Sequence, residues 1–198
     1  MNVYAESNFI LELALKRDQW QSCQAIIGLA QASGCDLFLP SWSFVEPYRA
    51  ITTARGSRKQ ALQSMATQVN ELSRSEHFQH LRNRFQAVQE VFIESEQLAD
   101  EGLESARRLV RSAAHILPIT GDVLLRADDW RPTLVGKEVD AVMLATVYEH
   151  ARARRSPSVF LNRNSKDFDD PLIVKMLAEE GCRLCFNFDE GLQLLRPA

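Results

Sequence analysis

The chain has 198 residues, a length that suits one domain and can bury a full core. Hydrophobic residues make up 45% and charged residues 25%, and the net charge is -3. That balance excludes bulk attraction to nucleic acid or to an anionic membrane, so any such binding must rest on a local basic patch.

No apolar run approaches the roughly 18 residues of a spanning helix. Glu6 and Glu12 stand where a secretory signal would be basic and then apolar. A cytoplasmic protein without membrane contact is expected, and with it reduced cysteines. Cys182 and Cys185 form a C-x-x-C pair in "EEGCRLCFNF". Alternation sends them to opposite faces of a strand, which suits two buried thiols. A redox or zinc reading of the pair lacks support.

In chain order, residues 2–5 (NVYA) read as a short buried strand. "SNFILELALKR" reads as a helix with Ser7 or Asn8 at its N-cap and Phe9, Ile10, Leu13 and Ala14 at helical spacing. A second helix runs from about Gln19 to Ala32 and stops at Ser33-Gly34. "CDLFLP" is a strand ended by Pro40. In "SWSFVEPYRAI", Ser41 or Ser43 can cap a helix whose Val45, Tyr48 and Ile51 share a face, with Pro47 tolerated in the first turn. Residues 55–116 are helical in composition and read as two or three amphipathic helices, an insertion with Phe78, Leu81, Phe85 and Val88 turned inward.

"GKEVDAVMLATVYEHARAR" is a further helix, "SPSVFLNRN" a strand, "DPLIVKMLAEEG" a helix ended by Gly181, "CRLCFNF" a strand, and "DEGLQLL" a last turn or two. Strands alternate with helices at the front and the back of the chain. The expectation is one α/β domain over residues 1–198, with a mainly parallel central sheet between helical layers and a helical elaboration at about 55–116.

In an open parallel sheet, ligands sit outside the carboxyl ends of the strands. Four acids fall there: Glu6 after "NVYA", Glu46 after "CDLFLP", Asp140 at a helix start, and Asp167 after "SVFL". Clustered carboxylates repel one another unless cations are bound. Oxygen ligands without His or Cys suit magnesium or manganese, whose common use at such a site is hydrolysis of a phosphodiester. The four histidines have no metal-ligand spacing, and no Ser/His/Asp constellation or glycine-rich phosphate loop is readable.

This pattern resembles the PIN domain, the metal-dependent ribonuclease fold of bacterial toxins and RNA-processing nucleases. "VYAESNFILELA" is similar to that family's opening strand, acid, hydroxyl and apolar helix. "LPSWSFVEPYRAI" supplies the second acid, "VDAVMLATVYEHA" the third and "LNRNSKDF" the fourth. The resemblance covers roughly residues 1–55 and 117–198. Two positions depart from it: Glu6 stands where most members have Asp, and Asn162 where Thr or Ser is common.

The resemblance implies a three-layer α/β/α PIN-like domain and a Mg2+- or Mn2+-dependent ribonuclease, in particular an endonuclease. Glu6, Glu46, Asp140 and Asp167 would be its catalytic and metal-holding residues. Ser7, Asn164 and Glu138 are accessory candidates, and Arg163 and Lys166 would contact RNA. Each has a plainer alternative: helix-dipole acids at 6 and 46, a cap at 140, solvated loop charge at 163 and 166. Asp169 and Asp170 are rivals to Asp167, and Asp122 is one further acid near a strand end. Membership also implies RNA as substrate, an antitoxin-type protein partner where the chain is the toxin of a pair, and a homodimer. The alternative function is a catalytically silent PIN-like module that binds RNA or protein.

Overall fold

The structure is a computed structural model that describes residues 1–131, 134 and 138–196, and the side chains of all of these except Lys166 and Asp167. Five strands, β1 (Asn2–Ala5), β2 (Asp36–Pro40), β3 (Ala114–Leu117), β4 (Ser158–Leu161) and β5 (Cys182–Cys185), form one sheet in the order β3-β2-β1-β4-β5. Every pairing is parallel.

The central strands are short unbroken apolar runs because both faces of the sheet are covered. Val3, Ala5, Leu37, Leu39, Val159 and Leu161 point to one side. There they meet α1 (Ser7–Leu15), α2 (Trp20–Gln31), α9 (Phe188–Leu195) and the last turns of α4 (Leu81–Arg111). Tyr4, Phe38 and Phe160 point to the other side and lie at matched register on three neighbouring strands. That aromatic row is covered by α5 (Gly121–Trp130), α6 (Glu138–Arg154), α7 (Ser165–Phe168) and α8 (Pro171–Glu179). The result is a three-layer α/β/α fold. Cys182 and Cys185 are buried free thiols on opposite faces, and burial pushes the Cys182 thiol up to about 11. No helix among the described residues is long and apolar enough to cross a membrane.

The helical middle is a hairpin. α3 (Glu46–Leu72) and α4 are joined by residues 73–80, which include a short 3-10 turn at Glu76–Phe78. The antiparallel register is fixed by cross-contacts from base to tip. Tyr48 donates to Glu104 at 2.8 Å, Arg55 pairs with Glu96 and Asp100, Arg58 donates to Ser95 at 3.1 Å, and Arg82 donates to Ser73 at 3.0 Å. Only the base joins the core, through Ile51 on α3 and Ala99, Leu103, Ala106 and Val110 on α4.

Three local expectations change. Glu6, rather than Ser7 or Asn8, caps α1, because its side chain reaches round to the Asn8 amide. Ser41–Phe44 forms a 3-10 turn, and α3 starts at Glu46 without a side-chain cap. In the hairpin, Leu81, Phe85 and Val88 are half-buried in the seam, but Phe78 is exposed at the tip, where no core lies beneath it. Likewise Ile51 is buried, while Val45 and Tyr48 face solvent.

Candidate active site

β1 is the middle strand of the sheet, so whatever follows it lies at the centre of the carboxyl edge. The residue that follows is Glu6. Its backbone is extended (φ -118°, ψ -171°), which turns the carboxylate over the first turn of α1. Oε2 accepts the Asn8 amide at 3.0 Å, and Oε1 is buried with no hydrogen-bond partner. Burial pushes the Glu6 carboxyl up to about 7; the Asn8 amide pulls it down, the Glu46 charge adds to the rise, and the Arg163 backbone amide opposes it.

Glu46 is reached from β2 through the 3-10 turn and is the first residue of α3. The buried Ser7 hydroxyl donates to Glu46 Oε2. Two acids 40 positions apart in the chain are thus linked through Ser7, the first residue of α1 and the immediate neighbour of Glu6. The N-terminus of α1 favours the ionised form of Glu6, which works against its burial.

Asp140 sits half-buried in the first turn of α6. α6 runs back to the start of β4, so its first turn lies at the carboxyl end of the sheet. One turn on, Met143 Sδ receives the Ser43 hydroxyl at 3.8 Å, which brings this helix start against the turn leading to Glu46. Glu138 is the exposed first residue of the same helix.

β4 pairs with β1 so that Ala5 lies opposite Leu161. The loop after β4 therefore faces Glu6. Buried Asn162 accepts the Asn164 amide at 2.6 Å and shapes the turn, and Asn164 is half-buried at the start of α7. The side chains of Lys166 and Asp167 lie outside the described residues. Of the rivals to Asp167, Asp170 caps α8 by accepting the Leu172 amide at 2.8 Å, a structural use. Asp122 lies in the first turn of α5, an element packed against α6.

The Arg163 guanidinium is paired with Glu12, a carboxylate that is almost fully buried and also accepts the Gln19 amide at 2.9 Å. Glu12 is a site residue that the sequence reading passed over. The signal was an acid set within the apolar run "FILELAL", since charges are seldom fully buried unless paired. Arg163, Glu12, Asn8, Asn164, Arg17 and Asp18 line an open cleft of about 610 Å³ beside Glu6.

Among the described residues, no group of three or more His, Cys, Asp or Glu side chains is gathered to hold a metal ion. The structure does bring together Glu6, Ser7 and Glu46, an oxygen-only donor set. A buried carboxylate oxygen without a partner is costly, and a hard cation is the group that relieves it. Glu6 and Glu46 are the described residues that could serve as oxygen ligands to a divalent ion.

No family model matches the chain, and no curated protein matches it. Among solved structures, the chain is similar to VapBC2 from Rickettsia felis, crystallised bound to a DNA fragment from its promoter. The identity is 14%, the match covers 93% of this chain and 98% of that one, and the TM-score is 0.43.

Proposed function

We propose that the chain is a Mg2+- or Mn2+-dependent ribonuclease of PIN type, cutting RNA internally at the carboxyl edge of its sheet. The observation that carries this is Glu6, a buried acid at the end of the middle strand with one carboxylate oxygen left without a partner. Glu6 and Glu46 would hold the ion, with Asp140 and Asp167 completing the set. When bound, the ion supplies charge neutralisation at the phosphate and an acidified water.

The remaining work falls to the chain. Ser7 fixes the Glu46 carboxylate by donating its hydroxyl. Asn162 holds the turn that presents Arg163 and Asn164 to the cleft. Glu12 holds the Arg163 guanidinium at the cleft wall, where a phosphate can meet it. Lys166 would add a second phosphate contact and Glu138 an outlying acid. An antitoxin-type protein partner belongs to this reading if the nuclease acts as a toxin.

The test is cleavage of an end-labelled, mixed single-stranded RNA pool in manganese, with calorimetry of manganese binding in parallel. Wild type is expected to bind the ion and cut, EDTA to stop the cutting, and Asp140→Asn to lose at least about a hundredfold in rate. A folded wild type that neither binds manganese nor cuts overturns the enzyme reading in favour of a silent binding module.

A further inference from the structure

β2 pairs with β3 so that Phe38 lies opposite His115, and the aromatic row of Tyr4, Phe38 and Phe160 gains an imidazole on the edge strand. The helical cover over this row stops there. Leu117 is buried, whereas His115, two residues earlier on the same face of β3, is exposed.

Three groups that can carry positive charge meet at the Phe38 ring. His115 stacks on it with centroids 5.2 Å apart, His150 tilts against it at 4.5 Å, and the Arg154 guanidinium lies over it at 5.1 Å. His150 and Arg154 are one turn apart at the end of α6 and share a side of that helix. Among the described residues, no carboxylate pairs with any of the three. Asp36 is the one carboxylate that the strands place on this face, and it is exposed. The α6 dipole favours a basic last turn and so accounts for cations at 152 and 154. It does not account for the direction of Arg154, which lies back over Phe38 beside two imidazoles.

Hydrogen bonding turns the cluster outward. Burial raises the pKa of Tyr4 far above its usual range, so the phenol keeps its proton. Its hydroxyl lies 2.9 Å from His150 Nδ1. Tyr4 therefore donates to Nδ1, and the proton of the neutral imidazole sits on Nε2, on the far side of the ring from Tyr4. Burial, followed by the Arg154 and His115 charges, holds the His150 pKa below its ordinary value. Beside Tyr4, Asn2 adds a buried Nδ2 with no hydrogen-bond partner. This end of the sheet thus has donors and positive charge in excess, and lacks an acceptor with negative charge.

We propose that the cluster is a phosphate-binding site. The Arg154 guanidinium and His150 Nε2 donate to the oxygens of one phosphate group, and His115 adds charge from the open edge. A tetrahedral dianion offers an oxygen to each of three donor groups and a matched pair to the guanidinium, where a carboxylate has only two oxygens. His150 stands about 15 Å along α6 from Asp140. The site is therefore separate from the acids at the carboxyl edge and does not rest on the nuclease reading.

The four histidines make the test internal. His77 and His80 lie at the tip of the α3–α4 hairpin, an arm whose apolar side chains join neither core cluster between Ile51 and Ala99. Imidazole signals of the full chain are followed by NMR as inorganic phosphate is added at constant ionic strength. The His115 and His150 signals are expected to shift and saturate, and those of His77 and His80 to stay. Tyr4 from β1, Asp36 from β2, His115 from β3 and Arg154 from α6 are the charged or titratable groups about His150. A bound dianion opposes the two cations among them, so the His150 titration midpoint is expected to rise. Arg154→Gln is expected to weaken binding at least about tenfold. Arg152→Gln, on the far side of the same turn beside Tyr148, is expected to leave it unchanged. Adenosine 5′-monophosphate tells the source apart: tighter binding than phosphate assigns a nucleotide, and no gain assigns the free ion. No saturable shift in wild type overturns the proposal. So does a shift shared by all four histidines, which is a bulk salt effect, or a response indifferent to Arg154→Gln.

Discussion

Glu6 holds two positions that seldom coincide, the cap of a helix and an acid buried at the edge of a sheet. Its folded carboxyl is pushed up to about 7, against an ordinary value of 4.5. Between those two pH values the unfolded chain has released the proton and the native chain still holds it. Native stability therefore falls as pH rises through that window, and levels off above it. The full fall is about 3 kcal/mol if the shift is carried by Glu6 alone. Glu6→Gln removes this titration. In urea unfolding without divalent ions, the difference between wild type and variant is expected to move by about that amount toward the variant from pH 5 to pH 8. A difference that stays constant with pH would mean that Glu6 ionises freely where it lies. The acid was legible in the sequence because it ends an apolar strand. Its capping role was not, because Ser7 and Asn8 are the better intrinsic caps and stand immediately after it. The partner of Glu12 was illegible, because Arg163 is 151 residues away and is brought near by the pairing of β1 with β4.

Among the elements, β1, β2, β4 and β5 were readable from short apolar runs, whereas β3 was not: it lies at the end of the stretch read as a helical insertion, and only its last residue, Leu117, is buried. The first turn of α6, with Asp140, fell where the pattern put it, while α3 begins at Glu46, after a 3-10 turn, and not at the Ser41 or Ser43 cap. What the pattern could not give is which part of a long amphipathic helix meets the core. Helical spacing fixes a face, and the same face serves a core contact in one half of α4 and a hairpin seam in the other. Two glycines mark the difference. Gly102 lies where α4 crosses α1, and a Cβ there would stand 2.1 Å from the Ala14 carbonyl oxygen, a backbone atom that cannot rotate aside. Gly56 lies on the arm with nothing within 4 Å of the same position. In a helix interior, alanine is favoured over glycine by about 0.5–1 kcal/mol. Gly56→Ala is accordingly expected to stabilise by that amount. At Gly102 the backbone clash wins, and Gly102→Ala is expected to destabilise by about 1–3 kcal/mol. Thermal melts of the two variants should move in opposite directions. A Gly102→Ala protein as stable as wild type would mean that α1 and α4 can slide apart at no cost.

At the scale of the molecule, the α/β/α body and the arm answer to different forces. The body buries Val3, Leu37, Phe38, Val159 and Phe160 between two helical layers, and no apolar residue between Ile51 and Ala99 takes part. The body should then fold without the arm. Arg58 and Ser95 touch across the hairpin at 3.1 Å, close enough for a short glycine-rich turn to join α3 to α4 there in place of residues 59–94. Loop closure over so short a turn costs little, and the helix starts at Glu46 and the packing of Leu103 and Val110 are left as they are. The shortened chain is expected to unfold in one cooperative transition, with a smaller dependence on denaturant because less surface is exposed on unfolding. It should keep the pH-dependent loss of stability that Glu6 imposes, since every group acting on that carboxylate lies in the body. A shortened chain that loses its cooperative transition would instead make the arm part of the folding unit, with the half-buried seam of Leu62, Val69, Phe85 and Phe92 forming early and the sheet closing against its base.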